Sequence, residues 1–398
     1  MSSVPQLVLD SKKSRHFDGR HPWVLANSIQ EPKTEVEAGQ VVELLQPNGS
    51  WIGRGVYNPN SRVRLRLLQW QPEQELNAEW ICSQLSSALQ LRKARERTSG
   101  ELEAMRMVNS EGDGLSGLVV DRFANYLVVQ FTSLAMLKWR EQILDWLQQN
   151  IAIDNILCVM DDNAAKQEGT EPFSIWQQEG KGSTVANFRE HDVELTVDLK
   201  VAQKTGYYLD QRTNRMQASL AMQPGSLLDV CCYQAGFSLV AAKHAQIERI
   251  VAVDSSQRAL EAAEQHAARN AVEGIEFKKA DCFDYLQQLV QEKQTFDNIV
   301  LDPPRMAGHR SQINSALRAY HRLNLSAVNL LRPGGTLVTC SCSGRVFRED
   351  FWGVLSSVAK RSRRRIQVIE SRGADFDHPI DVNCPESDYL KCFICRVD

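Results

Sequence analysis

The chain has 398 residues, 43% of them hydrophobic and 24% charged, with a net charge of -3. That length exceeds what one hydrophobic core usually supports, so two or three domains are expected, and the composition is that of a folded protein. The near-neutral balance excludes a uniformly basic nucleic-acid coat but leaves room for local basic surface. No stretch approaches the roughly 18 apolar residues a membrane span needs, and the first 20 residues carry no apolar signal core. A cytoplasmic protein without membrane contact is therefore expected, its ten cysteines spread along the chain and mostly reduced.

In chain order, Gln40 to Leu45, the turn Pro47-Asn48-Gly49 and Trp51 to Tyr57 predict a β-hairpin. Arg62, Arg64 and Arg66 alternate with Val63, Leu65 and Leu67, a strand with one packed and one cationic face. The period turns helical from Asn77 to Arg97, carried by Ile81, Leu85, Ala88 and Leu89, so the first domain is placed at residues 1–75. Glu111-Gly112-Asp113-Gly114-Leu115 leads into a second hairpin, Leu118 to Asp121 and Tyr126 to Phe131, followed by a helix over 134–149. The stretch 161–190 is polar and reads as irregular, completing a central α+β domain at 76–192. Val193 to Leu199 reads as a strand.

From Leu227 short apolar strands alternate with helices: Leu227 to Val230, Ile250 to Val253, Ile275 to Lys278, Asn298 to Leu301, Thr336 to Thr339 and Ile366 to Ile369, with helices such as Ser256 to Asn270 and Ile313 to Leu331. Right-handed crossovers then give a doubly wound α/β domain with a largely parallel sheet, placed at residues 193–398.

In such a sheet ligands bind beyond the carboxyl ends of the strands. The first strand ends in Asp229-Val230-Cys231-Cys232-Tyr233-Gln234-Ala235-Gly236, without the G-x-G-x-x-G that a pyrophosphate requires. S-adenosylmethionine, which has no pyrophosphate, fits this loop. Asp229, Cys232 and Gly236 would line it. Asp254, after the second strand, can accept from ribose hydroxyls, and Asp281-Cys282, after the third, can meet an adenine edge. Each acid can also serve as a helix cap.

The fourth strand runs into Asp302-Pro303-Pro304-Arg305 and the fifth into Cys340-Ser341-Cys342-Ser343-Gly344, adjacent strand ends that bring an acid and a thiol together. That pair suits covalent chemistry on a pyrimidine. A thiolate added at C6 of cytosine makes C5 carbanion-like, and Asp302 can hold N3 and the amino group while sharing a proton. Cys342 is preferred over Cys340, which lies deeper in the strand. Cys392 and Cys395 have metal-like spacing but no second pair and fall in an alternating strand, so no metal is expected. The run Lys360 to Arg365 is a solvated patch able to touch phosphate. An amino-group methyltransferase would place an aromatic where Arg305 stands, a guanine methyltransferase would not need the cysteine, and a non-catalytic RNA-binding assembly protein would need neither Cys342 nor the acids.

Lys204-Thr205-Gly206-Tyr207-Tyr208-Leu209-Asp210-Gln211-Arg212 closely resembles the signature of the bacterial large-subunit ribosomal RNA cytosine-5 methyltransferase I family. The resemblance covers nearly the whole chain. His21-Pro22-Trp23-Val24 and the Arg54-Gly55 hairpin look like its PUA domain, Glu111 to Leu115 with Asp121-Arg122-Phe123 like its central domain, and Asp302-Pro303-Pro304, Ser341 to Gly344, Asp377-His378-Pro379 and Tyr389-Leu390-Lys391 like its catalytic domain. It implies a Rossmann-like methyltransferase domain with Cys342 as nucleophile and with Lys204, Tyr207 and Gln211 in the S-adenosylmethionine pocket beside Asp302. It also implies 23S ribosomal RNA or a pre-ribosomal particle as partner, met by Arg54, Arg62, Arg64, Arg66 and Arg305; a homodimer is compatible with these features. The chain departs from the family at Gln234-Ala235, usually Thr-Gly, and at Ser387-Asp388, where a Gly-containing pair is usual.

Overall fold

A computed structural model describes residues 4–12, 20–32, 35–99, 102–178, 184–200 and 206–398. They form two compact units. One comprises Met1–Phe188, Val197–Tyr207 and Phe376–Ser387, the other Arg189–Thr196, Tyr208–Asp375 and Asp388–Asp398.

The first unit holds two five-stranded sheets. Strands β1 (Gln6–Val8), β2 (Trp23–Leu25), β3 (Val41–Leu45), β4 (Trp51–Tyr57) and β5 (Val63–Gln69) are ordered β1-β3-β4-β5-β2 around a core that includes Leu7, Val24, Val42, Leu44, Leu65 and Leu67. Helix α1 (Ala78–Ser99) then buries Ile81, Leu85 and Ala88 in the core of the next sheet. That sheet runs β10-β9-β8-β7-β6, built from β6 (Ala104–Asn109), β7 (Leu118–Phe123), β8 (Tyr126–Phe131), β9 (Asn155–Met160) and β10 (Phe173–Trp176).

Two expectations for this region are corrected. The helix expected over 134–149 is two, α2 (Leu134–Leu137) and α3 (Arg140–Asn150), because the Trp139 N–H turns back to the Met136 carbonyl. The stretch 161–190 is not irregular: it contains α4 (Asp162–Glu168), started by Asp161 accepting from Ala164 N and ended by left-handed Gly169, then β10 and β11 (Val185–Glu190). Strand β11 pairs with β12 (Val193–Asp198) in a two-stranded ribbon.

Buried charges of the first unit are paired. Fully buried Arg92 meets Asp113 and donates to the Asp377 carbonyl, and Arg106 makes a bidentate pair with fully buried Asp121 at 2.8 and 2.9 Å. Asp377 also accepts from Arg106 N, which secures the late segment Phe376–Ser387. A Cβ on Gly112 would sit 1.9 Å from the Pro379 carbonyl oxygen, so only glycine fits there.

In the second unit α5 (Arg212–Ala221) precedes one seven-stranded sheet, β15-β14-β13-β16-β17-β19-β18. Its strands are β13 (Gly225–Val230), β14 (Ile247–Asp254), β15 (Ile275–Lys279), β16 (Phe296–Leu301), β17 (Leu331–Ser341), β18 (Ile366–Arg372) and β19 (Lys391–Val397). The first five are parallel; β19 runs antiparallel between β17 and β18. Helices α6 (Gly236–His244), α7 (Gln257–Arg269), α8 (Cys282–Gln291), α9 (Ile313–Leu330) and α10 (Arg348–Ser362) connect them. Alternation along β13 sends Leu228 and Val230 into one core and Leu227 into the other, so both faces are covered. The order reverses at β13, between β14 and β16, which places the crevice at their carboxyl ends.

Candidate active site

The loop from β13 into α6 is held in an unusual backbone. Cys231, Tyr233 and Ala235 all have positive φ, at 62°, 50° and 60°. Ala235 caps α6 in the left-handed region, which explains why a glycine is usual there and why alanine is strained. Tyr233 N donates to Asp254 Oδ2 at 2.9 Å, and Ser256 N to Asp254 Oδ1 at 2.8 Å, so Asp254 organises both loops and keeps lone pairs for a ligand. Asp281 is the cap of α8, its Oδ1 accepting from Phe283 N and Asp284 N. Cys282 follows, its thiol hydrogen-bonded to Cys231, which lowers the pKa of Cys282 and raises that of Cys231. Cys232 packs against Ala252 and Leu260.

Asp229 is fully buried, and its Oδ2 accepts from Ser238 N and Oγ. Burial pushes its carboxyl up to about 6 despite those two donors. Its Oδ1 and the Oε1 of buried Gln234 have no hydrogen-bond partner among the described residues. Orphaned acceptors at a strand-end crevice call for a ligand that donates.

Asp302, half-buried at the end of β16, is pushed up to about 7, first by burial and then by the neighbouring Asp210, with Asp229 adding to it and a hydrogen bond from Gln211 opposing it. Gln211 is itself buried and accepts from Asn214 Nδ2 at 2.7 Å. One strand over, Cys342 Sγ lies 3.7 Å from the Pro303 carbonyl oxygen, half-buried at the end of β17. Ser343 joins the two loops: its Oγ accepts from Met306 N and Ala307 N at 3.0 and 3.2 Å and bonds Tyr320 Oη at 3.0 Å. Cys340 is fully buried opposite Cys392, and their hydrogen bond together with burial raises its thiol pKa well above the ordinary value. None of the ten cysteines forms a disulfide. Ser343 and Lys391 lie in segments singled out in the sequence, but their support of the thiol loop was not read there, and Tyr320 lies in no motif at all.

The other expected site residues are distributed as follows. Lys204 lies outside the described residues. Tyr207, in the first unit, is buried with its ring edge-on to Phe188 at 5.6 Å, and Gly206 beside it has φ 134°. Arg54 is engaged by Glu43 at 2.9 Å. The cationic face expected for Arg62, Arg64 and Arg66 is corrected at Arg66, which donates to Ser116 Oγ at 2.9 Å and lies 3.5 Å from Glu111 and 3.6 Å from Glu168, under the Trp23 ring. Burial raises the Glu111 pKa less than Arg66 and the Ser110 and Ser116 hydroxyls lower it, so the carboxyl stays below its ordinary value. Arg62 is exposed and Arg64 half-buried; Arg305 is exposed, its guanidinium donating to the Ala307 and Gly308 carbonyls. His21, Cys384 and Glu386 cluster within 4.8 Å. His21 Nδ1 accepts from Trp23 N, so its proton sits on Nε2 and serves Glu386 at 3.1 Å, a pair complete without an ion.

The strand order, the reversal at β13 and the acids at successive strand ends define a methyltransferase of the Rossmann-like class. A PUA-like domain model matches residues 7–70 and a methyltransferase domain model residues 224–370. Over 395 residues the chain is 34% identical to ribosomal RNA large subunit methyltransferase I of Shewanella frigidimarina, covering 98% of this chain and 99% of that one. The protein of the same name from Erwinia tasmaniensis is 32% identical over 394 residues, with the same coverage. The chain belongs to the ribosomal RNA large subunit methyltransferase I family. Its fold is that of a solved structure described as a methyltransferase complexed with SAH, at TM-score 0.83 and 18% identity over 99% of this chain and 100% of that one. A SAM-dependent methyltransferase structure from Streptococcus mutans matches at TM-score 0.82 and 17% identity, with the same coverage.

S-adenosylmethionine is the cofactor, and the crevice suits it: the acceptors of Asp229, Gln234 and Asp254 would take the donors of a cation that carries amino and hydroxyl groups. No helix among the described residues is long and apolar enough to cross a membrane.

Proposed function

We propose that this protein methylates carbon 5 of a cytosine in 23S ribosomal RNA, free or within a pre-ribosomal particle, through a covalent bond between Cys342 and ring carbon 6. The names of the relatives support the RNA. The placement of a half-buried thiol beside the Asp302-Pro303 turn supports the chemistry.

Bound S-adenosylmethionine supplies an electrophilic methyl group. The Cys342 thiolate bonds to C6, the C5–C6 π pair moves to C5, and C5 takes the methyl as the methyl–sulfonium bond breaks with its electrons left on that sulfur, giving S-adenosylhomocysteine. A base then removes the C5 proton, the pair re-forms the double bond, and the C6–S bond breaks with its electrons returning to sulfur. Asp302, balanced near neutrality, donates to N3 in its protonated form and accepts from the exocyclic amine, steadying the ring as charge builds on C5. Arg62, Arg64 and Arg305 are assigned phosphate contacts, whereas Arg54 and Arg66 serve the fold through their acidic partners.

Nucleoside analysis of 23S RNA incubated with the protein and S-adenosylmethionine tests the reading. 5-Methylcytidine that depends on Cys342 is expected; N4-methylcytidine or a methylguanosine in its place overturns it.

A further inference from the structure

Lys391 is a buried cation for which the chemistry above has no use. It opens β19, only 1% exposed, and pairs in register with Ser341 of β17, one residue before Cys342. Its Nζ donates to the Ser343 carbonyl at 2.8 Å and to the Tyr389 carbonyl at 2.7 Å. Among the described residues no carboxylate lies within ion-pair distance of it. A buried ammonium held by carbonyl dipoles alone is costly unless an anion stands near it for part of the cycle.

We infer that Lys391 is the positioning residue of the nucleophile, clamping the Ser343 carbonyl behind Cys342 and favouring the thiolate by its charge. Burial brings the Lys391 pKa down to about 8; the charges of Asp388, Cys342 and Asp350 favour its charged form against that, and Arg348 opposes it. Tyr208 and Tyr320 are further titratable groups that feel the Cys342 charge, and Asp302 acts on both tyrosines. Asp388 already pairs loosely with Arg348 at 3.9 Å and Asp350 caps α10 by accepting from Phe347 N, whereas Cys342 follows directly on Ser341, the residue that Lys391 faces in register. The carbonyl clamp and the Ser343 Oγ bonds hold the same residue from two sides, so the thiol loop is fixed to both neighbouring strands.

This inference rests on Cys342 as nucleophile, and its test is independent of RNA. The full-length protein is alkylated with iodoacetamide across pH 5.5–9.5, and the rate at Cys342 is followed by peptide mass spectrometry. In Lys391→Met and Lys391→Gln the midpoint is expected to rise by about one pH unit, making alkylation about tenfold slower at pH 7. Lys391→Arg is expected to keep the native midpoint. A midpoint unchanged in the neutral variants, with or without a lower plateau, leaves Lys391 a purely structural clamp and overturns the inference. If neither neutral variant folds, the native midpoint decides: below the ordinary thiol value of about 8.5 supports it, at or above that value overturns it. A shifted midpoint with no 5-methylcytidine produced would instead fault the cytosine chemistry.

Discussion

The buried charges of the first unit and the strand-end acids of the second are handled in opposite ways. Arg92 with Asp113, Arg106 with Asp121 and Arg66 with Glu111 are matched pairs, and Glu111 is held below its ordinary pKa although burial opposes this. At the crevice, Asp229 and Asp302 are pushed up to about 6 and about 7, and Asp229 keeps an orphaned oxygen. Pairing marks charges that hold the fold; lack of pairing marks charges kept for a ligand.

The largest way to break this contrast is Asp302→Asn. Methyl transfer is expected to fall by about 10²–10⁴-fold, read as initial rate on 23S RNA. Stability should move the other way. A carboxyl whose folded pKa is raised holds a proton that the unfolded chain releases above about pH 4, so native stability declines as pH rises from there through about 7. Asp302→Asn should therefore melt above the native protein at pH 8, with the gap closing toward pH 5. A gap that does not depend on pH contradicts the shifted Asp302.

Asp121→Ala probes the opposite case. It strips the partner from Arg106 and should cost about 3 kcal/mol, seen as loss of hydrogen-exchange protection in β6 and β7. Protection within 1 kcal/mol of native, by the same exchange measurement, would mean that the pairing carries little of the fold. A smaller gain of about 1 kcal/mol is expected from Ala235→Gly, which relieves a left-handed alanine and should appear as a higher melting temperature without cofactor. Smallest is Arg62→Ala, expected to weaken RNA binding a few-fold and reduce its salt slope by about one, whereas Arg66→Ala should lower stability instead.

Much of the second unit is written in its sequence, because parallel strands buried on both faces appear as short apolar runs between helical periods. The six strands read from Leu227 onward all lie inside observed strands. Other features leave no local trace. Helix α4 is seven residues long, too short for a periodic stripe, although Asp161 and Gly169 do bracket it as caps. β19 lies between two antiparallel neighbours and buries both faces, so the alternation read there conceals Lys391 as a core residue. Arg66 looked solvated because its acidic partners, Glu111 and Glu168, lie 45 and more residues away. The strand-end positions of Asp229, Asp254, Asp302 and Cys342 are legible from the strand pattern, while the strain at Ala235 required φ angles.

In the proposed reaction Cys342 and Asp302 form one catalytic edge acting through a covalent adduct. Incubation of the protein with 5-fluorocytosine-substituted 23S RNA and S-adenosylmethionine tests it most directly, since fluorine at C5 blocks the final elimination. A denaturation-resistant protein–RNA band is predicted for the native chain, strongly reduced in Asp302→Asn and absent in Cys342→Ala. An equal band in Cys342→Ala, or no band from a protein that still methylates unsubstituted RNA, would contradict it.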